Sequence, residues 1–585
     1  MSKLQIPNEL KYLKGARYEP AMRIYYNSFF LEDILPGFFY LTRTARRRGR
    51  GDWAGRTARD VAAELSQRKD KFIGFDDDNS RRILEEWLKA SVLRLIERGG
   101  TDKVMSVRPL HFMTYRVDLP TNWANTRSVP EFLAAILHQK PDTAPLGDEN
   151  IFPLQSRQNL FWQIFGVGLT HPRPHFFLNA DLDTYDNSVD LDIEALLAVR
   201  VVEGLRKPAD RKGEISGFEP LCPNQARLFR EDFSLFLRAY APPVVPVRVL
   251  GDYLLCLLAL NLTIYSLKHF AASNYLYDTG EWLDDRWHDW KPDIYPDLTG
   301  GRARKSKELA RQSFKSRELA RQSFRRHQDW ILRQLRTMIG FRLLDYYLMP
   351  ATDIPELRQL RQLTGIKFLQ TLALGRQPSF KEVYNETQGS ARPALRGLQQ
   401  YQQEDGEWPE DMKSIANDPG MPPFDRLVEL LAANQYDLQK NILKFFFSIT
   451  RRNLESGLLS GNPRRQDDNY YTLGIQMLET LVQLLILKPG DPPKLRPLDI
   501  YDFVDILKER YGIWIDEPPP SLDTGYEARA AAQANFAALK EKLRQLGFFR
   551  AVTDARRMQR LKPRFQPSGS VLKRAKGKEN HEQVA

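Results

Sequence analysis

Three observations predict a mainly α, multidomain fold with minor β content. Apolar residues recur at helical spacing through most of the 585 residues, and that periodicity is the primary helix signal. Strand-like composition is confined to one short stretch in the N-terminal region and to hairpins near the C-terminus. Proline-rich or polar interruptions divide the chain at Ala241 to Pro246 and at Tyr401 to Pro423. The expected organisation is a mostly helical N-terminal domain with minor β over 1–241, a helical middle domain over 242–420, a winged-helix-like C-terminal domain over 421–566 and a disordered basic tail over 567–585. Each of the three larger pieces is long enough to bury a core.

In the first of these, the aromatic run Tyr18 to Tyr40 is broken by Pro36-Gly37 and reads as packed helices joined by a turn. Arg43, Arg46, Arg47, Arg48 and Arg50 follow, either as a phosphate-contacting loop or as a solvated charge run. Asn79 is placed to cap a helix over Glu85 to Arg98, with Ile83, Leu84, Trp87, Leu88, Val92, Leu93 and Ile96 on its core face. Val104 to Val117 has strand-like composition, Ser128 opens a short helix containing Phe132, Ile136 and Leu137, and Asn187–Leu205 and Asn224–Tyr240 read as two more helices.

The middle region opens with the apolar run Tyr253 to Ile264. As a segment it is shorter than the roughly 20 residues a bilayer requires, so a buried central helix is expected and no membrane association. A tandem decapeptide comes next, KSKELARQSF at Lys305 to Phe314 and KSRELARQSF at Lys315 to Phe324. Ten residues at about 100° each leave the second copy about 80° short of the first, so the two phenylalanines should face different ways. Ten Lys/Arg against Glu308 and Glu318 between Arg302 and Arg326 make this a cationic element. It suits nucleic acid, or an exposed helix without a partner. Helices are then expected over Trp330–Leu348 and Asp353–Leu374.

In the C-terminal region a helix is indicated over Tyr436 to Leu454, stopped by Gly457, with Leu458-Leu459 and Tyr470-Tyr471-Thr472 pairing around a loop that carries Arg464 and Arg465. Helices over Leu473–Leu487 and Ile500–Arg510 and the strand-like YGIWID follow. The same grammar returns where Leu539, Leu543 and Leu546 ride a helix, Gly547 ends it, and Phe548-Phe549 enter a second hairpin with Met558, Leu561 and Phe565 on its far arm. A helix followed by a hairpin with a cationic tip is how a winged-helix unit ends, and such units bring basic side chains to backbone phosphate. Lys540 to Lys578 holds thirteen Lys/Arg against Glu541 and Asp554, a net of +11 in a chain whose total is +12. The candidate nucleic-acid-binding residues are Arg464, Arg465, Lys540, Arg544, Arg550, Arg556, Arg557, Arg560, Lys562 and Arg564. Their expected partner is DNA, with RNA as the alternative polyanion.

A composition of 42% hydrophobic, 27% charged and 11% aromatic residues argues against wholesale disorder. Cys222 and Cys256 cannot form a disulfide framework, and the N-terminal MSKLQIPNELKYLKG lacks the apolar core of a signal peptide, so a reducing cytoplasm is expected. Walker A, GxSxG, HExxH and paired CxxC patterns are absent. His171 and His175 precede Asp181, Asp183, Asp186, Asp190 and Asp192, residue types that together bind a divalent metal and activate water. Pro172 and Pro174 disfavour the helix that would align the two histidines, and acidic caps and turns are the simpler reading. No metal and no cofactor are therefore expected. A non-catalytic nucleic-acid-binding subunit is the leading class, against a metal-dependent nuclease with a dispersed motif or a scaffold using winged helices for protein contacts.

Two stretches carry a resemblance. LKERYGIWID (Leu507 to Asp516) and LRQLGFFRAVTDARRMQRLKPRF (Leu543 to Phe565) resemble the C-terminal parts of accessory proteins of prokaryotic methylation-associated anti-phage defence systems. The resemblance covers about the last fifth of the chain. It implies a bacterial cytoplasm and partner subunits such as a DNA methyltransferase, and it implies no catalytic residue.

Overall fold

The computed structural model describes residues 18, 22, 24–48, 56–98, 100–113, 127–138, 151–169, 186, 188–204, 210–214, 220–281, 287, 289–300, 307–405, 409–462, 465, 468–490, 492–548 and 560–567. Its helices in chain order are α1 (Ile34–Thr44), α2 (Ala58–Ser66), α3 (Asp78–Trp87), α4 (Val129–His138), α5 (Leu160–Phe165), α6 (Ile193–Gly204), α7 (Pro223–Tyr240), α8 (Val247–Thr279), α9 (Lys307–Leu348), α10 (Gly365–Ala373), α11 (Lys381–Asp405), α12 (Glu410–Asn417), α13 (Pro423–Asn434), α14 (Tyr436–Ile449), α15 (Ile475–Leu485), α16 (Ile500–Ile506) and α17 (Tyr526–Gln545). Among the described residues there are four two-stranded antiparallel ladders: β1 (Arg46–Arg48) with β4 (Asp210–Glu214), β2 (Leu93–Arg98) with β3 (Thr101–Val107), β5 (Leu459–Ser460) with β6 (Tyr470–Tyr471), and β7 (Leu487–Lys488) with β8 (Lys494–Leu495). The fold is mainly α with minor β, as the periodicity predicts.

One hydrophobic cluster runs from Tyr18 to Leu561, unbroken at 241 or 420. At its centre lies α8, which packs against α7, α9, α10, α14 and α15. The expected short helix is 33 residues long, and by length and composition it could cross a membrane, but 83% of its most apolar window is buried inside the protein. Its extra length carries Ser266, Lys268, His269, Ser273 and Asn274, all buried polar residues that a hydropathy reading places at a surface. Several are answered by neighbouring elements: Ser273 donates to Gln334 at 2.8 Å and Thr337 to Asn274 at 2.6 Å.

Other elements differ from the expected ones for local reasons. The helix expected to reach Arg98 ends at Trp87, and after a π turn at Leu88–Val92 the chain enters β2, with Leu93 opposite Val107. Its cap is Asp77 rather than Asn79, the carboxylate accepting from Asn79 N at 2.8 Å and Ser80 N at 3.0 Å. Leu84, Leu88 and Val92 are buried, whereas Ile83 and Trp87 stand exposed. Strand β3 stops at Val107, short of the expected Val117. Arg43 lies fully buried in the last turn of α1, with its guanidinium 5.8 Å from the Trp162 ring, and the backbone of Arg46–Arg48 forms β1 instead of a loop. Arg50 lies outside the described residues.

Asp353 to Leu374 breaks into 3₁₀ turns at Pro355–Leu357 and Leu360–Gln362 before α10, because Pro355 and Gly365 interrupt it. The polar stretch from Tyr401 contains the end of α11 and all of α12. Helix α14 ends at Ile449, before Gly457, in a turn with Arg451 and Asn453 at positive φ. Gly457 is needed for close approach instead: a Cβ there would lie 2.1 Å from the Arg451 carbonyl oxygen.

Candidate nucleic-acid interface

The decapeptide and the Trp330–Leu348 helix are one continuous helix, α9, and α17 lies along it. Ala528, Ala531 and Ala532 bring the two backbones close over Leu319 and Ala320, with the Tyr295 ring in the same cluster. Between them runs the extended segment Asp293–Thr299, fixed by Asn535, whose Oδ1 accepts from Leu298 N at 2.7 Å while Nδ2 donates to the Pro296 and Ile515 carbonyls at 3.0 and 3.1 Å. The repeat's serines complete the seam. Ser313 donates to Thr299 Oγ1 at 2.7 Å, Ser316 to Asp297 at 3.0 Å and Ser323 to the Asp293 carbonyl at 2.8 Å. As the 80° offset predicts, Phe324 is buried and Phe314 is 57% exposed.

This arrangement consumes most of the decapeptide's charge. Arg311 pairs with Glu527, Lys315 with Asp523 at 3.0 Å, Arg321 with Glu318 at 2.7 Å and Arg326 with Asp293 at 3.7 Å. Arg317 lies 3.5 Å from Asp297 and 4.7 Å from the Tyr470 ring. The cationic element is thus a helix with a partner, and the partner is α17; Arg302, Arg304 and Lys305 lie outside the described residues.

The expected hairpin β5–β6 forms, with Leu459 opposite Tyr471. In its loop Arg465 is exposed, while Arg464 lies outside the described residues. The glycine stop of α17 is also present, Gly547 at φ +78°, a left-handed conformation that glycine adopts without strain. Beyond it Arg550, Arg556 and Arg557 lie outside the described residues, as does the arm holding Met558. The chain re-enters as an extended segment pinned by Leu561 N to the Leu498 carbonyl and Lys562 N to the Phe548 carbonyl, both at 2.8 Å. Leu561 is buried beneath it, and Arg560, Lys562 and Arg564 alternate onto the solvent side.

The candidate cations separate by what holds them. Lys540 sits 4.3 Å from the Phe536 ring and 5.0 Å from the Tyr501 ring. Arg544 forms a fork with Glu541 at 2.7 and 2.9 Å. Arg564 pairs at 3.0 Å with Glu479, which also accepts from the buried Tyr253 hydroxyl. These three are committed within the fold. Arg465, Arg560 and Lys562 are exposed and form no ion pair among the described residues.

The chain belongs to the family of methylation-associated defense system protein MAD7. The match spans residues 11–565, so the likeness carried by two C-terminal stretches extends over nearly the whole chain. No curated protein matches it. Membership of the MAD7 family places the chain in a methylation-associated defence system.

Of the alternative metal cluster, His171, His175, Asp181 and Asp183 lie outside the described residues. Asp186 accepts from Ser188 N at 2.9 Å, and Asp192 caps α6 by accepting from Glu194 N at 3.0 Å, which are turn and cap roles. Among the described residues no group of three or more His, Cys, Asp or Glu is placed to hold a metal. Sequence reasoning misses the acids Asp523 and Glu527, which neutralise the decapeptide; their position beside the start of α17 is the signal that points to them.

Proposed function

We propose that this MAD7-family chain is a non-catalytic, nucleic-acid-binding accessory subunit, acting in the bacterial cytoplasm beside other subunits of its defence system, a DNA methyltransferase among them. The observation that carries the reading is the pinned segment at Arg560–Arg564. Its backbone bonds and buried Leu561 fix Arg560 and Lys562 about 7 Å apart on one solvent face, with no acid paired to either among the described residues. Cations held so contact phosphate without reading sequence, and duplex DNA is the partner favoured. In this reading α14 with the β5–β6 hairpin acts as a winged-helix-like unit, with Arg465 on its wing.

The test is fluorescence anisotropy on a duplex DNA of mixed sequence across a salt series, with an RNA duplex as the second arm. The double reversal Arg560→Glu, Lys562→Glu should weaken binding and lower the slope of log K against log salt by about 0.9 for each phosphate that is no longer neutralised. Folding should change little, because exposed substitutions typically stay within about 0.5 kcal/mol each. Salt-independent binding, or a double variant that binds like the parent, would overturn the assignment. Preference for the RNA duplex would move the partner from DNA to RNA.

A further inference from the structure

A cleft of about 800 Å³ runs along α7, walled on its other sides by Lys268 of α8, the segment Asp289–Lys291, the end of α15 with the β7–β8 hairpin, and the end of α16. It is separate from the C-terminal cations, and the reading of one does not depend on the other. Along its middle the acid Asp232 is already committed, accepting from Arg510 at 2.6 Å, Tyr511 at 2.9 Å and Asn261 at 3.1 Å. The end at the start of α7 is different.

Helix α7 begins on Pro223 without a side-chain cap, and of its first-turn amides that of Ala226 is taken by the Cys222 carbonyl. An 18-residue helix opening in this way presents partial positive charge and N–H groups without an intrahelical acceptor to the cleft. Gln225, in that first turn, lines the cleft at 5% exposure, and its Nε2 has no hydrogen-bond acceptor among the described residues. A buried amide donor left so is destabilising unless something arrives to accept from it. Lys268 and Lys291 line the same cleft, with Asp289 beside Lys268 and Glu231, Asp232 and Glu509 elsewhere on its walls. Burial first, and then the Lys291 charge, hold the Lys268 ammonium below its ordinary value, against the opposite pull of Cys222 and Asp289. Beside them the Trp290 ring lines the cleft, braced by Trp287 and Trp330 at 5.5 Å each.

We propose that this end of the cleft binds the phosphate of a nucleotide: Lys268, Lys291, the Gln225 amide and the α7 N-terminus hold the anion, and Trp290 stacks on the base. Anion binding at a helix N-terminus with flanking ammonium groups is physically sufficient for the phosphate. An aromatic face within the same cleft distinguishes a nucleotide from a bare anion, since stacking does not depend on which base it is. The phosphate can belong to a free nucleoside phosphate or to the end of a single strand.

Isothermal titration of the full chain tests this with three probes: ADP, a short single-stranded oligonucleotide with or without a 5′-phosphate, and inorganic phosphate. Lys291→Glu, on an exposed side chain, should weaken ADP or the phosphorylated oligonucleotide by about tenfold or more. Trp290→Ala should weaken the same probe while leaving the weak affinity for inorganic phosphate unchanged. Binding of ADP identifies a free nucleotide as the source; binding confined to the 5′-phosphorylated strand identifies a strand end. The Arg560→Glu, Lys562→Glu variant should bind these probes like the parent, which separates this site from the duplex surface. Absence of binding by ADP and by the phosphorylated strand overturns the proposal, as does binding that neither Lys291→Glu nor Trp290→Ala alters in a variant of unchanged melting temperature.

Discussion

Histidines 111, 269 and 327 are each enclosed at 1% exposure or less, and burial pushes their imidazoles down to about 4, about 3 and about 3. For His111 the neutral form is the one the structure satisfies: Nε2 lies 2.8 Å from the Val167 carbonyl and Nδ1 accepts from Met113 N at 3.1 Å. Because the unfolded chain takes up these protons near the ordinary 6.5 and the folded chain does not, stability is lost as pH falls below about 6.5 toward 3–4. At pH 5 each residue contributes a loss of about 2 kcal/mol. Asp33 works the other way, since burial, opposed by Arg94, raises its carboxyl from 3.8 to about 6, and it favours the folded state as pH drops through that window. Burial also raises the carboxyls of Asp232, Asp252, Asp345 and Asp516, which moderates the loss from the three histidines, so melting temperature should fall modestly between pH 7 and pH 5; an unchanged or higher value would contradict it. The three also differ among themselves. His327 Nδ1 lies 2.8 Å from the Tyr471 hydroxyl, so His327→Phe strands a buried hydroxyl and should cost about 1–3 kcal/mol. His269 lies parallel to the Tyr265 ring at 6.3 Å, and neither of its nitrogens meets a partner among the described residues, so His269→Phe should be neutral or stabilising in urea unfolding. A larger loss at 269 than at 327 would reverse this account. Nothing in sequence spacing marks these histidines, because what neutralises them is enclosure by residues far away along the chain.

The contact of α8 with α9 depends on a residue with no side chain. A Cβ at Gly340 would lie 2.2 Å from the Tyr277 ring, which is itself buried and covered by the Arg376 guanidinium at 4.0 Å. In an exposed helix Gly→Ala gains about 1 kcal/mol. Here the overlap must be relieved by moving a packed ring or the helix itself, so Gly340→Ala should instead destabilise by about 1–3 kcal/mol. A denaturation midpoint at or above the parent's would show that the two helices can separate without cost. A mid-helix glycine is legible in sequence as a site of close approach, but the partner that makes it necessary is not. The same division holds for the rest of the fold. Elements whose signal is local are legible: the ends of α7, the pairing of β5 with β6, the Gly547 stop and the opposed faces of Phe314 and Phe324. A helix through Arg98 is the wrong reading because Leu84, Leu88 and Val92 keep helical spacing up to the point where Leu93 begins to pair with β3. Lys540 and Arg564 look available in sequence because Tyr501 and Glu479 lie far from them along the chain.

Across the whole molecule a net charge of +12 is not a net charge on display. The decapeptide's Arg311 and Lys315 face Glu527 and Asp523, so this cationic stretch fastens α17 to α9. Each pair is partly exposed, and exposed pairs contribute about 0–1 kcal/mol, so the buried alanine seam and Asn535 hold most of the contact. Reversing both cations, Arg311→Glu with Lys315→Glu, replaces two attractions by two repulsions at the N-terminal end of α17. Hydrogen exchange should rise over the first turns of α17, and the melting temperature should fall slightly. The same charge change at Arg560 and Lys562 should leave α17 protected and weaken duplex binding. The two variants therefore give opposite patterns if the C-terminal segment is the duplex surface and the decapeptide is a fastening. Loss of duplex affinity in the decapeptide variant, with α17 still protected and the Arg560, Lys562 variant binding normally, would place the DNA on α9 and make the pinned C-terminal segment a site for another subunit.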